Sequence, residues 1–250
     1  MPLLNPEMPT QASPLNFRLA LVLALSATGL LLWTDSAWAH AVTQGDKGYI
    51  QEISGSHIFP FIYLGAKHMV TGYDHILFLL GVIFFLYGVK QIALYVSLFA
   101  IGHSVTMLAG VYFNVGINSY VIDAIIGFSV AYKALDNLGA FRHWFGVQPD
   151  TRVATLIFGL LHGFGLSSKI IEYDISPDGL VPNLIAFNVG VEIGQLLALA
   201  AMLLVMKFWR ATAAFARQAY AANVVMMAAG FTLMGFQIAG YVVTELHPIH

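Results

Sequence analysis

The chain places ionisable and amide side chains inside segments that are otherwise apolar. These residues are His68, Asp74, His75, His103, Asp123, His162, Asn188, Glu192 and Gln195. An ionisable group in hydrocarbon costs about 2.5–3.5 kcal/mol on insertion scales, so its presence there predicts a functional role. Because the chain has no cysteine, any metal must bind imidazole, carboxylate, amide, hydroxyl or thioether groups. Imidazole and carboxylate groups suit borderline divalent metals.

The first of these segments is GAKHMVTGYDHILFLL, in which His68 and His75 are seven residues apart. On a continuous helix they share a face but lie about 10 Å apart. One ion can therefore bind both only if the chain bends at Thr71–Gly72. The neighbours Asp74 and His75 project about 100° apart, so Asp74 is either a ligand itself or the group that orients an imidazole.

Two further segments each supply one histidine. GHSVTM places His103 on the same helical face as Thr106. FGLLHGFG surrounds His162 with Gly159, Gly163 and Gly165. Small residues let another helix approach closely, which would bring this imidazole near its partners.

The segment FNVGVEIGQ contributes a carboxylate and two amides at helical spacing. Asn188, Glu192 and Gln195 lie on one face, and Gly190 with Gly194 forms a small-residue packing stripe nearby. The predicted metal ligands are His68, Asp74, His75, His103, His162 and Glu192. The residues predicted to support them or to line a pathway are Asp123, Asn188, Gln195 and Thr106. The histidines predicted to gather metal outside the membrane are His40, His57, His247 and His250.

Composition defines the elements that must position these residues. The 250 residues are 58% hydrophobic and only 10% charged, with a mean hydropathy of +0.76. Soluble domains are about 25% charged, so the sequence predicts an all-α, polytopic membrane bundle in a lipid bilayer. The net charge of -2 gives no electrostatic reason to expect nucleic acid. No organic cofactor is implied, and oligomerisation stays open.

Six apolar runs are long enough to span a bilayer. They are 69–88, 91–112, 119–137, 153–171, 182–209 and 221–244. The apolar stretch 58–70 is interrupted by Pro60 and Gly65 and is too short to cross alone. It is therefore interpreted as an interfacial or re-entrant piece.

The first 39 residues are typical of a secretory signal. Arg18 precedes the apolar stretch Leu19 to Trp33, and Ala37-Trp38-Ala39 supplies a small-x-small cleavage pattern. An uncleaved anchor helix is the alternative. The predicted organisation is a signal peptide at 1–39, an external tail at 40–57 and a six-helix membrane domain at 58–250.

The distribution of lysine and arginine predicts orientation. With both termini of the mature chain external, seven of these residues lie at or near inner loops and three at outer ones, as the positive-inside rule expects. In this orientation nearly all of the polar set lies within roughly 6–15 Å of the outer surface. The sequence therefore predicts one polar site in the outer leaflet.

The ordered motifs resemble those of the HupE/UreJ family of bacterial membrane proteins. The resemblance covers about 60–210, and by it His68, Asp74 and His75 match the family's His-x5-Asp-His motif, while His162 matches its later His-Gly motif. Phe164-Gly165-Leu166-Ser167 follows His162 where better studied members carry a second His and a Glu. The chain thus resembles the second branch, in which Glu192 would supply the carboxylate. The resemblance implies a nickel or cobalt permease of the inner membrane, with metalloenzyme-maturation proteins as partners.

Three functions remain to be compared. The leading hypothesis is a permease whose substrate is nickel or cobalt, with zinc and copper as further candidates. The second is an intramembrane zinc hydrolase in which His75, His103 and His162 hold the metal and Asp74 or Glu192 acts as base. No HExxH pair is present, so an enzyme is the less favoured reading. The third is an accessory or proton-relay protein, because His–carboxylate chains also conduct protons.

Overall fold

The computed structural model describes residues 54–172 and 177–246, and within these ranges the fold is all-helical, without strands. The helices are α1 Ile58–Thr71, α2 Tyr73–Ile83, α3 Val89–Tyr112, α4 Ser119–Asn137, α5 Ala140–Phe145, α6 Thr151–Glu172, α7 Leu180–Arg210 and α8 Phe215–Tyr241, followed by the π-helical turn Val242–Leu246. The expected all-α class is confirmed. The predicted signal peptide, most of the predicted tail, and His40, His247 and His250 lie outside the described residues.

Four of the described helices are long and apolar enough to cross a membrane. They are α3, α6, α7 and α8. Helix α4 has 19 residues but carries Asp123, Lys133 and Asp136, which lower its hydropathy. The long apolar helices identify a membrane protein.

The first predicted span has the wrong boundaries. A single helix was expected over 69–88, whereas the chain is helical from Ile58, breaks at Gly72 and ends its second half-helix at Ile83. Pro60 does not interrupt α1, because it lies in the first turn, where its missing N–H has no intrahelical partner to lose. The stretch 58–70 is thus the body of a 14-residue helix packed against α7.

Glycines bring six of the helices together in three tight pairs, α3 with α6, α4 with α8 and α1 with α7. Gly159 of α6 lies against the Phe99 backbone of α3, and Gly230 of α8 against that of Ala131 in α4. Gly190 and Gly194 of α7 lie against the backbone of α1, which confirms the predicted packing stripe. A methyl group at any of these positions would clash with main-chain atoms, so the close approach depends on glycine.

Half-helix α2 lies inside the bundle. It packs mainly against α4, with smaller contacts to α1, α3, α7 and α8. Its C-terminal end is fixed by Arg210, which donates hydrogen bonds to the carbonyls of Ile83 and Phe84 at 2.6 and 2.9 Å. The fold therefore holds the start of α2, with Asp74 and His75, among the other helices.

Candidate metal centre

Three buried histidines from three different helices converge at the start of α2. His68 of α1, His75 of α2 and His103 of α3 each offer one ring nitrogen, and these three atoms all lie within 4.8 Å of one another. The ring centroids of His68 and His75 are 5.3 Å apart, and those of His75 and His103 are 5.8 Å apart. The structure thus brings together residues that the sequence separates by up to 35 positions.

The break at Gly72 makes the His68–His75 approach possible. Gly72 has φ −72° and ψ 91°, which any residue can adopt, but a Cβ there would lie 2.8 Å from Nδ1 of His75 and 3.2 Å from Oδ1 of Asp74. The space that a side chain would fill is taken by the imidazole. The bend required by the seven-residue spacing is therefore present, and glycine is needed there for room.

Asp74 orients the central imidazole. Its Oδ1 lies 3.0 Å from Nδ1 of His75, and both side chains are buried. When Nδ1 carries the ring proton and donates it to this carboxylate, Nε2 presents its lone pair and is the natural ligand atom. Of the two roles left open for Asp74, the geometry supports that of an orienting group.

A fourth imidazole lies against the first three. The ring of His162 in α6 is centred 5.0 Å from that of His75, and its Nδ1 donates a hydrogen bond to the carbonyl of Phe158 at 2.7 Å. Its Nε2 is buried and has no hydrogen-bond partner among the described residues. The same is true of both ring nitrogens of His103. A buried acceptor without a partner costs about 1–3 kcal/mol, which a bound cation would offset.

The dimensions of the cluster suit a transition-metal ion after small adjustments. Metal–imidazole bonds of about 2.0–2.1 Å place two nitrogens roughly 3.4 Å apart in tetrahedral geometry. The three nitrogens lie within 4.8 Å of one another, so side-chain movements of roughly an ångström would complete such a site. Three or four imidazoles with no thiolate suit nickel, cobalt, zinc or copper.

The contact between α3 and α6 sets the positions of His103 and His162. Gly163 packs directly against the His103 carbonyl and the Thr106 hydroxyl. Thr106 also donates a hydrogen bond across the interface to the carbonyl of Leu160 at 2.6 Å. Thr106, predicted to support the site, thus ties the two histidine-bearing helices together.

Glu192, predicted as a ligand, is not part of this group. Its side chain is exposed on α7. The residues of α7 that pack on α1 are Gly190 and Gly194, and residues two positions away on a helix lie about 200° around the axis. The packing stripe and the carboxylate therefore face opposite sides of α7, and the stripe is the side that is buried.

The other predicted residues have separate positions. Gln195 is buried and donates a hydrogen bond to the carbonyl of Val96 at 3.1 Å, linking α7 to α3. Asn188 is half-buried. His57 stands before α1, where its ring Nε2 lies 3.1 Å from the Ser54 carbonyl. Because 11 residues separate it from His68, His57 is about 16 Å away along α1.

A layer of phenylalanines lies one helical turn from the histidines, toward the C-terminal end of α2. Phe78, Phe99 and Phe158 are buried, with the Phe78 centroid 5.3 Å from that of Phe99 and 5.6 Å from that of Phe158. The ring of Phe99 also contacts that of His162 at 5.0 Å. Each phenylalanine stands three or four residues from a histidine, toward the same end of the bundle. All three segments carry this His–Phe spacing in the sequence, which is the signal that indicates the layer.

Asp123, predicted to line a pathway, has a partner that the sequence did not predict. Its Oδ2 accepts a hydrogen bond from Lys169 Nζ at 2.8 Å, which joins α4 to α6. A second buried ion pair, Lys133 with Asp136, lies near the other end of α4 and also contacts Gln148. In the sequence, Lys133 and Lys169 contribute only to the lysine and arginine distribution that predicts orientation.

Comparison with known proteins identifies the chain's relatives. No match was found among the curated proteins or among the solved structures. The family model described as "HupE / UreJ protein" matches residues 44–245, a range that contains all four converging histidines. On this match, the chain belongs to the HupE/UreJ family.

Proposed function

We propose that this membrane protein is a permease whose substrate is a divalent transition-metal ion, nickel or cobalt. The observation that carries the proposal is the convergence of His68, His75 and His103, with His162 beside them, in the interior of a helical bundle. Membership of the HupE/UreJ family supports a role connected with these metals. Proteins that mature nickel or cobalt enzymes are the expected partners.

The broken helix supports transport rather than a purely structural site. Transporter sites typically form where a spanning helix is interrupted, because half-helix ends supply partial charges. His68 lies in the last turn of α1, whose C-terminal end is partially negative and favours a cation. Asp74 lies in the first turn of α2, where the partially positive end favours its carboxylate.

We further propose that the phenylalanine layer, Phe78, Phe99 and Phe158, closes the site toward the cytoplasm in this conformation. The inner ends of the helices carry Arg142, Arg152, Lys207 and Arg210, which supports this orientation by the positive-inside rule. The outer ends then face the periplasm of a bacterial inner membrane. A hydrophobic constriction of this kind can block ion passage by excluding water.

The proposal is tested by metal uptake into proteoliposomes that contain a metal-sensitive dye and a pH-sensitive dye. Ni²⁺, Co²⁺, Zn²⁺ and Cu²⁺ are compared for the wild type, His75→Ala and His143→Ala. His143 is exposed on α5 and is the matched control. We expect His75→Ala to abolish uptake of nickel or cobalt and His143→Ala to retain it. Metal uptake that is equal in all three proteins would overturn the proposal.

The second candidate function is an intramembrane zinc hydrolase. Three histidines within reach of one ion, with a carboxylate beside them, also match the ligand set of a catalytic zinc. The discriminating measurement is metal analysis of the purified protein: stoichiometric, non-exchangeable zinc with peptide or lipid turnover favours the enzyme. A pH-dye response without metal uptake favours a proton relay.

A further inference from the structure

A buried ion pair, Lys169 with Asp123, joins α6 to α4. The two side chains are only 12% and 6% exposed, and Nζ lies 2.8 Å from Oδ2. Lys169 belongs to α6 and Asp123 to α4. A buried pair contributes little net stability relative to apolar packing, so stability alone does not explain why charges stand here.

The position of the pair relates it to the proposed metal path. Lys169 follows His162 by seven residues on α6, which is two turns, about 10 Å, on the same face and toward the outer end. Asp123 lies beside the same part of α6, because its Oδ1 is 3.6 Å from the position that a Cβ on Gly165 would occupy. A cation that approaches the cluster from outside therefore meets both charges.

The two charges affect an arriving dication in opposite ways. Charges that interact through a partly buried region are screened much less than in water. The Asp123 carboxylate attracts a divalent ion, whereas the Lys169 ammonium repels it and occupies the carboxylate that the ion would use. A metal ion can displace the Lys169 ammonium from the Asp123 carboxylate, and the ammonium then remains attached to the chain nearby.

We propose that Asp123 is the carboxylate that receives the divalent ion at the outer entrance and that Lys169 is a tethered competing cation that the ion must displace. Lys169 thereby lowers the metal affinity of the site to a value from which the ion can be released, which a transport site requires. This inference rests on the proposed function, because it assigns a role in metal binding to both residues.

The affinity for Ni²⁺ tests the proposal. A purely structural salt bridge predicts that loss of either residue changes the Kd in the same direction or not at all, whereas a competing cation predicts changes of opposite sign. With purified protein in detergent, Lys169→Gln should lower the Kd about tenfold, since a repulsive charge is lost. Asp123→Asn should raise the Kd about tenfold, since the attractive charge is lost and the ammonium remains. The double variant loses both charges, so its Kd should lie between those of the two single variants.

Two further variants keep the test decisive if a single variant does not fold. Lys169→Arg retains the charge but can form a bidentate pair with Asp123 that is harder to displace, so its Kd should rise about threefold or more. Lys133→Gln removes the lysine of the other buried pair in α4 and should leave the Kd unchanged.

The outcomes separate this inference from the proposed function. Wild-type protein that binds neither nickel nor cobalt overturns both. Wild-type binding combined with a Kd that moves in the same direction, or not at all, in Lys169→Gln and Asp123→Asn overturns the role of Lys169 alone. An unchanged Kd in Lys169→Arg would likewise count against displacement of the ammonium.

Discussion

At the residue scale, the four clustered histidines are held in two ways. His75 and His162 are oriented through Nδ1, by the Asp74 carboxylate and the Phe158 carbonyl respectively. The ring of His68 packs on Phe187, with centroids 5.9 Å apart. The ring of His103 packs on Phe99 at 6.2 Å, and neither of its nitrogens has a hydrogen-bond partner among the described residues. Hydrogen-bonded imidazoles have a fixed tautomer, whereas packed ones can rotate toward an ion. The small contraction that metal binding requires is therefore expected mainly at His103.

Glu192 provides a prediction at the same scale. Because its carboxylate is exposed on the side of α7 opposite the α1 contact, Glu192→Gln should change the Kd for Ni²⁺ by less than about twofold, while His103→Ala should weaken binding by at least about a hundredfold. Titration calorimetry on the purified variants checks both. A large loss of affinity in Glu192→Gln would mean that α7 turns this carboxylate into the site when metal binds.

Sequence reasoning identified which residue types would meet but could not fully describe how. The spacing of His68 and His75 required a bend at Thr71–Gly72, and the bend is there. The partner of Asp123 lies 46 residues away on another helix, and hydropathy does not encode which helices are neighbours. The exposure of Glu192 could not be predicted for the same reason. Spacing shows which residues share a helical face, but not which helix packs against that face.

At the element scale, the interruption between α1 and α2 is the feature on which the site depends. Gly72→Ala places a methyl group against Nδ1 of His75, and alanine favours a continuous helix. A straightened helix would return His68 and His75 to about 10 Å apart. We expect the affinity for Ni²⁺ to fall at least about tenfold while the protein still folds, because φ at this position suits alanine.

Gly116→Ala is the matched control for this substitution, since a Cβ at Gly116 has no neighbour within 4 Å. Its affinity should equal that of the wild type. Circular dichroism of both variants establishes that helix content is retained. Wild-type affinity in Gly72→Ala would show that the imidazole can move aside without loss of binding, and that the break is not required.

At the scale of the whole molecule, the histidines come from elements that otherwise belong to different packing units. His68 lies in the α1·α7 pair, His103 and His162 in the α3·α6 pair, and His75 on α2, which packs mainly on α4. Few contacts join α1 to α2 or α2 to α3. An ion bound by three or four of these imidazoles would therefore link units that the apolar packing connects only weakly.

This linkage predicts that metal stabilises the entire bundle. A ligand that binds only the folded state adds about 2.7 kcal/mol at 100 times its Kd, equivalent to about 5–10 °C in Tm for a chain of this length. We expect Ni²⁺ or Co²⁺ to raise the Tm of the wild type by this amount and that of Gly116→Ala equally, in one cooperative transition. His75→Ala, which removes the central imidazole, should show no shift. A metal-induced shift of the same size in His75→Ala would place the stabilising ion elsewhere, because the His75 ring contacts those of His68, His103 and His162.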